Sequence, residues 1–381
     1  MYLKTLTLQC FRNYLEQTVD FSAPKIILVG DNAQGKSNLL EAVELLASLR
    51  SHRTSRDRDL VHRGNSLGLI RGLVQSRYGV TELGLLLREK GGRVLRVNQQ
   101  TVGRQLDFLG HLNAVQFSCL DLELVRGAPE LRRHWLDDLL IQLEPVYSHI
   151  LSQYHHILKQ RNALLKQRKN LFPPTGYPAD PQLEAWDQQL VMMGTRIFCR
   201  RRRGLERLEP LARAWHQTLS QQQELLAITY QPHLPLTHQS PTAIQAQFGQ
   251  ALEQQRNLEL QLGSTLVGPH RDEIAFTLNA TSVRAYGSQG QQRTLVLALK
   301  LAELELVEAV TGEPPLLLLD DVLAELDPQR QGQVLAGVSS RFQTLITTTH
   351  LSSFHNSWLN EAQLYRVKGG SLETIWRSEW D

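Results

Sequence analysis

Residues 30–37, Gly30-Asp31-Asn32-Ala33-Gln34-Gly35-Lys36-Ser37, match G-x-x-x-x-G-K-[ST] without a gap. The segment follows a continuous apolar run, Ile26-Ile27-Leu28-Val29, and precedes Leu39, Val43, Leu46 and Leu49 at helical spacing. A buried strand, a glycine loop and an amphipathic helix in that order point to an α/β fold with a phosphate held at a helix N-terminus. Glycines let the backbone pass close to phosphate oxygens, and successive N–H groups form an anion nest. Lys36 is expected to reach the β- and γ-phosphates of ATP, and the Ser37 hydroxyl to ligate Mg²⁺. A structural turn that matches by chance is the alternative, and the strand and helix on either side argue against it.

Leu316-Leu317-Leu318-Leu319-Asp320-Asp321 is an apolar strand ending in two carboxylates. Beside a phosphate loop it reads as a Walker B element. Asp320 would then hold the metal, directly or through water, and Asp321 would polarise the attacking water. The bland alternative is a buried strand followed by an acidic helix start. Tyr286-Gly287-Ser288-Gln289-Gly290-Gln291-Gln292-Arg293 precedes a helix carrying Leu295, Leu299 and Leu306. Ser288 and the N–H groups around Gly290 would form a second anion site there. A simple N-cap explains the same residues.

Elsewhere the chain changes texture. Leu6, Leu8 and Cys10 alternate with polar residues, as do Val19 and Phe21, so the first 30 residues read as strands. Residues 67–97 suggest an antiparallel meander that turns at Gly91-Gly92. From Pro129 a helical pattern runs to about Asn170, passing Val146, Ile150, Tyr154, Ile157 and Leu164. A loop with Pro173, Pro174, Pro178 and Pro181 leads to a second helix, Leu183 to Trp215, with a kink expected at Pro210. A third begins at Ser240-Pro241, and strand texture returns at Leu266–Leu278. The expected organisation is an α/β head, residues 1–121 and 263–381, interrupted by a helical arm at 122–262.

The 381 residues suggest two or three domains, and 41% hydrophobic with 21% charged residues is ordinary globular composition. Aliphatic runs such as Leu316–Leu319 fall far short of the roughly 20 residues of a bilayer span. The start, Met1-Tyr2-Leu3-Lys4-Thr5-Leu6, has no signal-like apolar region. Cys10, Cys119 and Cys199 are odd in number and share no metal-like spacing, so a cytoplasmic location with reduced thiols is expected. A net charge of +3 does not by itself announce nucleic acid. Seven arginines lie between Arg196 and Arg213 against two acids, Glu206 and Glu209. Arg200, Arg201, Arg202 and Arg203 are candidates for DNA phosphate contacts, with a solvated helix face as the equal alternative.

These motifs, in this order, resemble those of the ABC-type ATPases. Ser288, Gly290 and Gln291 look like part of the signature motif, Ala324-Glu325-Leu326-Asp327 like the D-loop, and His350 like the switch histidine. Gln116 is the weaker candidate for a Q-loop glutamine, an ordinary strand residue being the alternative. Phe11-Arg12-Asn13-Tyr14, Ser51-His52-Arg53, Leu122–Asp137 and Gly268-Pro269-His270-Arg271-Asp272 narrow the resemblance to the RecF family. Cys119, where a proline is usual, and Trp135, where Phe or Tyr is usual, are small departures away from the phosphate motifs.

The resemblance implies a P-loop ABC-type head with an inserted helical arm. It implies that ATP drives a homodimer in which the signature of one copy covers the γ-phosphate held by the other. It places Arg12 and Arg53 near the nucleotide, a surface ion pair being the alternative for each. It further implies DNA binding at duplexes and single/double-strand junctions, a RecR-like mediator, help in loading RecA, support of the SOS response, and weak DNA-stimulated ATP hydrolysis that serves as a switch. A rival from another class is the ATPase subunit of a membrane transporter. Against it, Lys36 and Ser288 lie 252 positions apart (288 − 36), and the excess is helical and basic. A small-molecule kinase has no use for the signature and D-loop.

Overall fold

A computed structural model describes residues 1–54, 56–169, 180–221, 223–234, 240–323, 328–338, 341–351, 354 and 356–375. Two compact units emerge, residues 1–122, 218–221 and 296–381 in the first and 123–217 and 222–295 in the second. In the first, β1 (Tyr2–Phe11), β2 (Tyr14–Asp20) and β3 (Lys25–Val29) lead through the glycine loop to α1 (Lys36–Ser48). β4 (Leu67–Ser76), β5 (Gly79–Arg88), β6 (Val94–Val97), β7 (Gln100–Val102) and β8 (Ala114–Ser118) follow. The second unit holds α2 (Glu123–Arg126), α3 (Pro129–Leu143), α4 (Val146–Arg168), most of α5 (Pro181–Leu219), β9 (Leu226–Gln231), α6 (Pro241–Leu262), β10 (Glu273–Leu278), β11 (Thr281–Ser282) and α7 (Val283–Tyr286). α8 (Gln289–Thr311) begins in the second unit and continues in the first. There β12 (Leu316–Asp320), α9 (Pro328–Val338), β13 (Thr344–Thr348), α10 (Asn356–Asn360), β14 (Ala362–Lys368) and β15 (Ser371–Thr374) complete the chain.

Two six-stranded sheets build the first unit. One is antiparallel, in the order β2-β1-β4-β5-β6-β7. Leu6 and Leu8 are fully buried on one face of β1, and the expected alternation is interrupted between Leu3 and Thr5, where the pairing to β4 shifts register. The other sheet runs β15-β14-β3-β13-β12-β8, parallel throughout except for β15. Ile26, Ile27 and Leu28 on β3 and Leu316 and Leu318 on β12, two strands away across β13, are fully buried, which is why these strands read as unbroken apolar runs. Register places Val29 against Thr348 and Asp320 against both Thr347 and Ser118. The segments that follow β3, β12 and β13 therefore leave from the same, carboxyl edge, where α/β sheets bind ligands.

The second unit departs from expectation in three places. It extends past 262 to Leu295 and includes β10, with which β9, inside the stretch read as the arm, pairs along its length, from Leu226↔Leu278 to Gln231↔Glu273. The expected helix from Pro129 onward is two helices, α3 and α4. They part at Pro145, which has no N–H to donate to a continuing helix. The strand expected from Leu266 begins only at Glu273. Gly268 takes φ +134° and Pro269 opens a short 3₁₀ turn instead. Pro210 lies inside α5 without ending it.

Buried guanidinium groups tie the helices of this unit together. Arg161, fully buried on α4, donates to Asp187 of α5 (2.6 Å), Glu259 of α6 (2.6 Å) and the Thr265 hydroxyl (2.8 Å). Arg201, 3% exposed, grips both carboxylate oxygens of Asp137 at 2.8 and 2.9 Å and donates to the Pro269 carbonyl at 2.6 Å, with Asp272 at 3.4 Å. Its assignment to DNA is therefore corrected. A side chain enclosed this far, with both ends of its fork engaged, has nothing left for phosphate.

The same network accounts for His270. Its Nδ1 lies 2.6 Å from the Tyr154 hydroxyl. Burial, with Arg271, Arg133 and His155 nearby, lowers its pKa from 6.5 to about 4 against the opposing pull of the Thr265 carbonyl. Asp272 moves the other way, from 3.8 to about 6, because burial outweighs Arg201, Tyr230 and the His233 N–H. The two have opposite linkage. Stability from a neutral His270 is present above pH 6.5 and lost as pH falls toward 4, whereas stability from a protonated Asp272 is present below pH 3.8 and lost as pH rises through 6. His270→Gln, which keeps a partner for Tyr154, removes only the first. The stability deficit of this variant relative to wild type, measured by urea unfolding, is expected to shrink by about 2 kcal/mol between pH 7 and pH 5. A deficit constant over that range would show that His270 is not held neutral.

Candidate nucleotide site

The loop between β3 and α1 is shaped by neighbours as well as by its own glycines. A Cβ on Gly30 would lie 2.4 Å from the Val367 carbonyl oxygen of β14. Gly35 adopts φ +120°, and a Cβ there would lie 2.7 Å from the Asn13 amide. Neither position admits another residue without a backbone shift. The bend between β1 and β2 braces the loop further. Asn13 donates to the Gln34 carbonyl at 2.8 Å, and the buried Tyr14 hydroxyl donates to the Gly35 carbonyl at 2.9 Å. From the other side, the turn after β14 donates Gly370 N–H to the Gln34 carbonyl (3.0 Å) and Gly369 N–H to the Gln34 side chain (2.8 Å). Asp31, Asn32 and Ala33 form the exposed rim, with Ala33 at φ +65°.

Inside this frame the Lys36 amine donates to the carbonyls of Gly30 (2.7 Å) and Asp31 (3.0 Å). Ser37 and Asp320, 283 positions apart in sequence, meet directly: the Ser37 hydroxyl donates to Asp320 Oδ1 at 2.7 Å. Thr347 donates to the same oxygen at 2.8 Å and accepts the Asp321 N–H at 2.8 Å, so β13 fixes both carboxylate-bearing positions. Asp321 takes φ +55°, a left-handed conformation uncommon for a non-glycine residue and common at functional turns. A hydroxyl and a carboxylate converging beside a phosphate loop are the hard oxygen donors Mg²⁺ takes, with phosphate and water completing its shell. The donor set fits the ion.

The remaining expected residues divide. His350 is exposed just beyond β13, its N–H bonded to Thr348 Oγ1 at 3.3 Å. Gln116 pairs with Leu318, two positions short of Asp320, and its amide lies 3.3 Å from His52 Nε2. Its buried side-chain carbonyl oxygen has no hydrogen-bond partner among the described residues. Arg12 is engaged by Glu41 of α1 at 2.6 and 2.8 Å and by the Asp59 carbonyl at 2.7 Å. Arg53 is 39% exposed and donates to Asn38 Oδ1 at 2.6 Å, two residues past Lys36. Glu41 is fully buried and also accepts from Ser51, so one carboxylate organises the first turns of α1 and the loop after it. Sequence reasoning gave no role to Glu41, Asn13, Tyr14 or Thr347. The D-loop, Ala324–Asp327, lies outside the described residues.

In the second unit, Ser288 and Gln291 form a reciprocal capping box ahead of α8. The Ser288 hydroxyl accepts Gln291 N–H at 3.2 Å, and Gln291 Oε1 accepts Ser288 N–H at 2.7 Å. Ser288 is exposed, and a Cβ on Gly290 would meet only Ser288 Oγ at 3.9 Å, so the backbone there is open to approach. Arg200 is paired with Glu144 at 2.9 Å, and Arg202 lies 3.8 Å from Glu206. Arg203, 65% exposed, is 3.9 Å from Glu144.

Residues 2–371 match the RecF/RecN/SMC N-terminal domain family. The chain is 60% identical to the DNA replication and repair protein RecF of Synechocystis sp., covering all of both chains. It is 59% identical to that of Picosynechococcus sp., covering 98% of this chain and 97% of the relative. Two solved structures of the recombination mediator protein RecF in the RecFOR pathway, RecF-ATPrS and RecF-ATP, superpose with TM-scores of 0.90 and 0.89 at 33% identity, each covering 98% of both chains. An Smc head domain from Pyrococcus furiosus, 14% identical with a TM-score of 0.55, shares the fold. None of these relatives is a transporter subunit, and no described helix is long and apolar enough to cross a membrane. With its phosphate loop, its paired carboxylates at the carboxyl edge of a parallel sheet and relatives matched over nearly its full length, the chain belongs to the RecF family of SMC-like, ABC-type ATPases.

Proposed function

We propose that this chain is a cytoplasmic, ATP-dependent DNA-binding protein of recombinational repair and replication. In this reading ATP closes two copies on DNA at single-strand gaps or junctions, and slow hydrolysis reopens them. A RecR-type mediator and RecA loading complete its role, with support of SOS induction as a consequence. The observation that carries the reading is the 2.7 Å contact between Ser37 and Asp320, which brings the two halves of an ATPase site together. Relatives named as replication and repair proteins, and as mediators solved with ATP, support it.

The residues divide the work as follows. Lys36 exchanges its two carbonyl partners for the β- and γ-phosphates, while the loop N–H groups hold the remaining oxygens. Ser37 and Asp320 would hold Mg²⁺, which when bound offsets phosphate charge and orients the transferring group. Asp321 aims a water at the γ-phosphate, with His350 on the neighbouring strand end. Arg53 lies near the base of the phosphate loop through Asn38.

The experiment is a titration of gapped duplex with and without ATP, alongside Lys36→Met. Wild type is expected to bind at least tenfold more tightly with ATP, and the variant to lose that increment while keeping its far-UV spectrum. Equal wild-type affinity in both conditions would refute the reading.

A further inference from the structure

The first unit carries an open cleft of about 610 Å³ whose lining residues include Arg56, Arg58, Arg88 and Arg93, with Asp57 and Glu89 among them. Four cations less two anions leave a net charge of +2 in one concavity. The cleft is not the nucleotide site. Leu49, which ends α1, lines it, whereas Lys36 begins α1. Thirteen residues at 1.5 Å separate the two ends by about 20 Å.

Its floor is already built. Arg93 holds both oxygens of Asp57 at 2.8 and 2.9 Å and donates to the Leu49 carbonyl, which neutralises Asp57 and occupies the negative end of α1. Arg58 is 60% exposed, 3.5 Å from Asp59. Arg56 and Arg88 are exposed, and neither side chain has an ion pair or hydrogen bond among the described residues. Exposed guanidinium groups with no partner among the described residues, beside a base that Arg93 has neutralised, suit phosphate oxygens, which a guanidinium fork can grip in pairs. Among the described residues no aromatic side chain lines the cleft, so these offer unpaired bases nothing to stack on.

We propose that this cleft is a docking surface for the phosphodiester backbone of duplex DNA, with Arg56 and Arg88 as its contacts. The proposal rests on the reading of the chain as a DNA-binding protein and adds where the duplex is held. The test is the double variant Arg56→Ala/Arg88→Ala. Both side chains are exposed and unpartnered, so the fold is expected to survive, with cooperative unfolding as the check.

Binding of a blunt duplex and of a single strand of equal length is measured with ATP across a range of salt, and ATP affinity by calorimetry. Two lost phosphate contacts are expected to make the log–log salt slope for duplex shallower by about 1.8. ATP affinity and single-strand affinity are expected to stay as in wild type. A wild-type duplex slope in the variant would overturn the proposal and leave the DNA-binding reading standing. Equal losses for duplex and single strand would overturn it as a duplex surface. A wild type that binds no duplex at all would refute both.

Discussion

Arg201→Ala is expected to destabilise the second unit by about 3–5 kcal/mol, the cost of breaking a buried ion pair from one side. The arginine is 3% exposed, and the carboxylates it serves, Asp137 and Asp272, are 1% and 0% exposed. Without it two carboxylates face each other in a low-dielectric interior. The Tyr147 hydroxyl at 2.6 Å from Asp137 and the Tyr230 hydroxyl on Asp272 are hydrogen-bond donors with no charge to offset. Protonating both acids is the escape. Hydrogen exchange of α3 and α5 amides, compared with Arg203→Ala, reads the effect directly. Arg203 is 65% exposed, so its removal is expected to cost within about 0.5 kcal/mol. Equal protection in the two variants would mean that Arg201 does not organise this unit.

The Arg201 result also bears on what a sequence can reveal. Seven arginines against two acids in 18 positions looked like one charged face, yet neighbouring residues have unrelated fates. Arg201 is enclosed, Arg200 is paired with Glu144, and Arg203 is open to solvent. Helical periodicity separates these directions, but the acids that claim Arg200 and Arg201, at 144, 137 and 272, are remote in sequence and carry no local signal. The phosphate loop was legible because its chemistry is local: strand, glycines, lysine and serine are contiguous. The meeting of Ser37 with Asp320 was legible by motif, since both halves are stereotyped. The braces around the loop were not. Asn13 and Tyr14 act through backbone carbonyls, which leave no pattern in the residues they hold.

Longer elements were read more faithfully than their ends. α6 starts where Ser240 accepts the Ala243 N–H, as the Ser240-Pro241 pair suggested, whereas its stop at Gly263 in the left-handed region was not read from the sequence. Pro145 was as visible, but the apolar spacing on either side concealed the break it imposes. The second unit reaches past 262 to include β10, which pairs with β9, a non-local event that composition does not record.

We propose, with the ATP-driven closure of two copies, that the signature of one copy covers the γ-phosphate held by the other, and Ser288→Arg tests this most directly. Within one copy, Ser288 caps α8 through its hydroxyl, and losing that acceptor costs about 1 kcal/mol. The backbone N–H that Gln291 accepts remains, and the phosphate loop is untouched, so ATP affinity of the monomer is expected to stay within about twofold of wild type. In a two-fold dimer the substitution enters twice, once at each composite site. The exposed Ser288 would then deliver a bulky guanidinium into the space where the other copy's γ-phosphate is covered. Sedimentation velocity with ATP and DNA, run beside an ATPase assay, is the measurement. The expected result is a variant that binds ATP normally, sediments as a monomer and does not turn over. A variant that dimerises with ATP and hydrolyses it at the wild-type rate would contradict the account.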